Sequence, residues 1–157
     1  MKRMYKEILV LTKLFAALIV LWNLAGSAIA GPDEDAVRDL LHSTFDKPKA
    51  KLDVAPVVAL AGFAIAGWTQ GETGGRALLR NKHGRWTIIL CAGDEIRSAE
   101  ALRHTGIAPD VAGKLAQALA NAEQTVSADR LAMFARFEGL LRMDEAGNHP
   151  PAHDQAR

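Results

Sequence analysis

Between Val54 and Ala92 the chain is cut into four short apolar runs, each separated from the next by only a few turn-forming residues. Val54 with Val57–Leu60 reads as a strand in which Pro56 is tolerated near the beginning or on an edge, because proline cannot donate to a ladder. Ala61-Gly62 is a turn signal, and Phe63–Gln70 is the second strand. The loop Gly71-Glu72-Thr73-Gly74-Gly75 leads into a third run, Arg76–Arg80, and Asn81-Lys82-His83-Gly84 is a tight hairpin connection into Arg85–Ala92. Parallel neighbours would need crossovers of about a dozen residues or more, so these runs have room only for an antiparallel meander of three to four strands. Alternation places Trp86, Ile88 and Leu90 on one face of the last strand, with Ile89 and Cys91 on the other. With both faces apolar, that strand is expected to be central, covered by helices on one side and partly protected on the other. Trp68 and Trp86 are expected on adjacent strands, contributing to one core.

Helical spacing flanks this block. Val37, Leu40, Leu41 and Phe45 mark an amphipathic helix over residues 34–45, started by Asp33-Glu34-Asp35 and stopped by Asp46-Lys47-Pro48. Ser98 can cap a short helix through Leu102 that Gly106 stops, and Pro109 suits the first turn of a longer one to about Gln124. Ser127 can cap another, carrying Leu131, Phe134 and Phe137 to Gly139. The fold class is therefore α+β: an N-terminal helix, a small antiparallel meander, two to three C-terminal helices, and a polar tail from Met143 onward.

The first thirty residues read as an export signal. Lys2, Arg3 and Lys6 precede the apolar run Leu14–Trp22, and Ala28-Ile29-Ala30 supplies the small residues of a cleavage site near Ala30. The alternative is a membrane anchor over residues 8–30, which would have to carry Lys13 at a cost of roughly 2.5–3.5 kcal/mol at mid-helix. The expected organisation is a signal peptide over residues 1–30, one α+β domain over 31–142 and a tail over 143–157. Export follows from this reading, with membrane contact only through an uncleaved signal segment. Of the 19 Lys and Arg and 18 Asp and Glu in the 157 residues, cleavage would remove Lys2, Arg3, Lys6, Lys13 and Glu7, leaving 15 against 17 and a formal charge of −2. No strongly basic domain is present, which argues against nucleic acid as a partner.

Catalytic groupings are scarce. The serines beyond residue 30, Ser43, Ser98 and Ser127, lack the Gly-x-Ser-x-Gly elbow, and the last two are better used as caps. The glycine-rich loop at 71–75 leads into a strand, so no helix N-terminus stands ready for a phosphate. Asp94-Glu95 can form an acidic rim at a strand end or cap the following helix. No nucleophile–base pair assembles, and the expectation is a protein that is not an enzyme. Cys91, the single cysteine, excludes an internal disulfide and leaves three roles: buried hydrophobe, intermolecular bridge or soft-metal ligand. Met143, His149 and His153 bring a thioether and two imidazoles within eleven residues of polar chain. These donors suit copper, and they are equally compatible with a solvated tail.

A set of local motifs is more specific. Phe45-Asp46-Lys47-Pro48, Gly67-Trp68-Thr69-Gln70-Gly71 with Gly74-Gly75-Arg76-Ala77-Leu78-Leu79-Arg80, and Trp86–Cys91 followed by Gly93-Asp94 form one part. Phe134-Ala135-Arg136-Phe137 and the ending Met143-Asp144, Gly147, His149-Pro150 complete it. Together they resemble the copper uptake system-associated proteins, small exported proteins of Gram-negative bacteria, over almost the whole of residues 31–157. The resemblance implies a periplasmic accessory or binding role beside copper acquisition, with copper as the possible bound metal and other periplasmic copper-uptake proteins as partners. A role of a different class is a small-ligand module, in which Trp68, Trp86 and Phe63 line the concave face of the sheet.

Overall fold

The computed structural model describes residues 31–143. The expected signal segment over 1–30 and the expected tail donors His149 and His153 lie outside the described residues. Within them the chain forms α1 (Pro32–Phe45), β1 (Leu52–Leu60), β2 (Phe63–Gln70), β3 (Thr73–Lys82) and β4 (Arg85–Ala92). A single 3₁₀ turn (Asp94–Ile96) follows, then α2 (Ala99–His104), α3 (Pro109–Glu123), α4 (Ala128–Ala135) and β5 (Leu140–Arg142). The α+β class stands, with five strands instead of the expected three to four.

The sheet is antiparallel throughout and its strands lie in chain order, β1-β2-β3-β4-β5. Turn chemistry explains the hairpins. Ala61-Gly62 and His83-Gly84 hold left-handed backbone at both positions, the twist a two-residue hairpin needs. The Asn81 side chain accepts from the Gly84 N–H at 2.9 Å and closes the second turn. β5 escapes sequence reading because its three residues are too few to show a period. It pairs Leu140, Leu141 and Arg142 with Ala92, Cys91 and Leu90. That added strand makes β4 interior over Leu90–Ala92.

Both faces of the sheet are covered. On one, Val37 and Leu41 of α1 pack with Ala64, Ala66, Leu79, Trp86 and Ile88. On the other, Ile96 of the turn, Leu102 of α2, Ile107 of the link that follows it, and Leu115 and Leu119 of α3 pack with Ile65, Leu78 and Leu90. The sheet is thus the middle layer of three. Ser98 and Ser127 cap α2 and α4 as expected, accepting from Ala101 N–H and Arg130 N–H at 3.1 and 3.4 Å. Ser43 donates to the carbonyl of Leu40 within α1.

Two bulges decide which side chain faces which layer. In β4, Leu90 is opposite Leu78 while Ile88 is opposite Leu79, so Ile89 has no partner. One extra residue breaks the period of two. Ile88 accordingly joins the α1 side and Leu90 the α3 side, although they are two apart in sequence. The expectation that Trp86, Ile88 and Leu90 share a face is therefore corrected: Trp86, Ile88 and Cys91 do. The second bulge lies in edge strand β1, where Val54 pairs with Trp68 and Val57 with Ala66. Ala55 and Pro56, joined by a cis bond, occupy it. Trp68 and Trp86 belong to the same core cluster but not to adjacent strands, since β3 runs between β2 and β4.

Candidate functional site

The α1-side core ends in a cavity of about 150 Å³ lined by residues of α1, of both edge strands β1 and β5, and of β2 and β4. Phe45, at the end of α1, and Leu52, at the start of β1, form one wall. Trp68 and Gln70 come from β2, Cys91 from β4, and Phe137, Leu141 and Met143 from the C-terminal segment. Each reaches the cavity for a local reason. Phe137 follows α4, which ends at Ala135 instead of running on to Gly139 as the periodicity suggested. Freed from helical direction, it meets Trp68 edge to face, ring centroids 5.9 Å apart. Gly75, the register partner of Trp68, makes this possible: a Cβ there would lie 3.0 Å from both aromatic side chains. Gln70 uses its amide nitrogen to bind the carbonyls of Phe45 and Ala50, both at 2.8 Å, and so ties the end of α1 to the sheet.

Two of the four sequence-derived donors meet here. Cys91 is 5% exposed, and burial alone pushes its thiol up to about 12, so it stays protonated at neutral pH. This fits its role as a buried hydrophobe. The Ile89 bulge is what turns it toward the cavity. Met143 lies half-buried at the mouth, its N–H donating to the carbonyl of Ile89 at 2.9 Å. It also borders a second, more polar cleft with Arg80, Lys82 and Arg142. Among the described residues, no cluster of three or more His, Cys, Asp and Glu side chains could hold a metal. None of their helices is long and apolar enough to cross a membrane.

One lining residue, Trp68, carries a group that the motif pattern does not advertise. Trp68 Nε1 is buried and has no hydrogen-bond partner. Trp86, by contrast, is core, and Phe63 lies on the opposite face beneath the Arg80 guanidinium, 5.6 Å from its ring centroid. The expectation that Trp68, Trp86 and Phe63 line one cavity is corrected to Trp68 alone.

A second polar cluster lies on the α3 side. Arg76, opposite Gly67, donates from Nε to Glu123 at 2.6 Å, and from its terminal nitrogen to the Gly93 carbonyl and to Asp94 at 3.1 and 2.9 Å. The other Glu123 oxygen faces Arg97 at 3.2 Å, close enough for an ion pair but without hydrogen-bond geometry. Phe134 lies between two guanidinium groups, with Arg76 at 5.1 Å and Arg130 at 5.4 Å from its ring centre. Arg130 in turn grips Asp53, Thr69 and the bulge carbonyl of Ala55. All this fastens α3 and α4 to the sheet. Asp94 is thereby a partner of Arg76 and not a helix cap, while Glu95 accepts from the Gly93 N–H at 2.8 Å.

Chemically, the cavity can enclose a small apolar group beside two sulfur-bearing side chains, Cys91 and Met143. It contains no nucleophile paired with a base. Comparison of the chain with protein-family models, curated proteins and solved structures finds no match.

Proposed function

We propose that this chain is an exported, non-catalytic accessory or binding protein of periplasmic copper uptake, with Cu(I) as its cargo. Met143 is the anchoring donor, His149 and His153 complete the set, and Cys91 is held in reserve. The placement of Met143 carries the reading. Its backbone is pinned to Ile89 at the mouth of a cavity that also contains Cys91, so two sulfur side chains border one space. The two histidines follow six and ten residues later in the sequence. Thioether and thiolate are soft donors suited to Cu(I), and imidazole accepts either copper state. Met143 has no proton to lose. Cys91 must give one up to become a ligand, and its raised pKa opposes that, which places it second. The motif resemblance supports the periplasmic setting and other copper-uptake proteins as partners.

The test is a Cu(I) competition titration of the wild type, Met143→Leu and the double variant His149→Asn/His153→Asn. Both variants should bind at least tenfold more weakly, and Cys91→Ala should bind nearly as well as wild type. Unchanged affinity in both tail variants removes the tail as the site. No Cu(I) binding by the wild type overturns the reading.

A further inference from the structure

We propose that the cleft bordered by Arg80, Lys82 and Arg142 is a binding site for a small organic polycarboxylate, a molecule whose acid groups are spread over a hydrocarbon frame. The Ile89 bulge builds the site. Arg80 pairs with Thr87, and Arg142 with Leu90. Thr87 and Leu90 are three apart, so regular alternation would send them, and the partners beside them, to opposite faces. The unpaired Ile89 shifts the alternation by one residue. Leu90 then faces the α3 side with Thr87, and Arg142 joins Arg80 and Lys82 there. Thr105 and Gly106, which follow α2, line one side of the cleft, and Phe63, Thr87 and Ile89 belong to the sheet.

Charge and spacing then define the ligand. The lining includes two arginines and a lysine, all exposed, and no carboxylate. Among the described residues none of these three cations is in an ion pair, whereas Arg38, Arg76, Arg97 and Arg130 are. Arg80 lies over Phe63, 5.6 Å from the ring centroid. Stacking engages the face of a guanidinium and leaves its in-plane N–H groups to bind a carboxylate. The Thr87 and Thr105 hydroxyls already donate to the carbonyls of Arg80 and Leu102, so the cations carry the recognition. β3 and β5 are two strands apart, which starts Arg80 and Arg142 about 10 Å from one another across the sheet. A single compact anion answers charges spread this far poorly, and separated carboxylates answer them well. The volume, about 240 Å³, exceeds the roughly 150 Å³ that holds benzene, and Phe63 and Ile89 offer apolar contact to a carbon frame. Met143 borders this cleft as it borders the sulfur-lined cavity, but the proposal uses neither its sulfur nor a metal.

The test is calorimetric titration of the metal-free protein with benzene-1,3,5-tricarboxylate, benzoate and inorganic phosphate at low salt. Two further exposed charge pairs, at about threefold each, should make the tricarboxylate bind about tenfold more tightly than either single-group probe. Its affinity should fall severalfold on raising salt from about 20 to about 200 mM, because exposed charges are screened. Arg80→Gln, Lys82→Gln and Arg142→Gln should each weaken it about threefold, whereas Arg136→Gln, in a different cleft, should not. Asp144 and Glu145 follow Met143 in the sequence and are the chain's own candidates for the same cations. Tricarboxylate binding that emerges only in Asp144→Asn/Glu145→Gln gives the cleft to the tail and overturns the proposal. So do equal affinities for the three probes, a loss in Arg136→Gln matching that of the cleft variants, or no binding at millimolar concentration.

Discussion

Arg76 and Glu123 are 47 residues apart in sequence and 2.6 Å apart in space, with 1% and 4% of their side chains exposed. The pair joins the middle of the sheet to the last turn of α3. Asp94, half-exposed, shares the guanidinium from the strand end. Burying two charges carries a desolvation penalty that their attraction roughly balances, so the pair's value lies in how it fixes α3 over β3.

Removing one partner should therefore hurt more than removing both. Glu123→Leu leaves a guanidinium buried with only Asp94 opposite, and should cost about 3–5 kcal/mol. The double variant Arg76→Met/Glu123→Leu should regain most of that loss. Urea denaturation of both singles and the double measures the cycle. A double variant as unstable as the sum of the singles would refute the account.

Trp86 is 7% exposed, in the core beneath α1. Trp86→Ala should cost roughly 3–5 kcal/mol in chemical denaturation, the range for truncating a buried large aromatic. A loss below about 1 kcal/mol would place it at the surface.

Gly67 tests close packing. A Cβ there would stand 2.7 Å from the ring of Phe134, which is fully buried and held between two arginines. Gly67→Ala should destabilise by about 1–3 kcal/mol, the usual penalty for overpacking. Gly67→Ala combined with Phe134→Leu should lose less than the sum of the two separate changes.

The Cys91 thiol should make stability fall at alkaline pH. Its folded pKa of about 12 lies above the ordinary 9.0, so between those values the unfolded chain has lost a proton that the folded one keeps. Unfolding stability then declines with rising pH by up to about 1.4 kcal/mol per unit, and levels off above 12. Cys91→Ala should lack this component in stability measured from pH 8 to 11. For the same reason a thiol reagent at pH 8 should label the native protein slowly and the urea-unfolded protein fast.

Copper binding should weaken below about pH 6, because ordinary imidazole titrates near 6.5 and only its neutral form coordinates. Met143 alone would give a flat profile. Repeating the Cu(I) competition from pH 5 to 7.5 distinguishes the two.

Features governed by neighbours in sequence were readable from it. The hairpins at Ala61-Gly62 and His83-Gly84, the caps Ser98 and Ser127, the proline start of α3 and the antiparallel class all follow from a few adjacent residues, because backbone conformation and turn length are local properties. Tertiary structure decided the rest. Nothing local shows that Ile89 lacks a partner, yet that single bulge sends Cys91 to the α1 side and Leu90 to the α3 side. Gly67 and Gly75 were visible as a motif, but their reason, the Phe134 and Phe137 rings laid against them, arrives from about sixty residues away. β5 exists only because β4 offers it an edge, and three residues hold too little pattern to signal a strand alone. The Trp68 cavity is likewise a product of assembly: α1, three strands and the C-terminal segment each supply a wall, and the space among them belongs to no stretch of sequence.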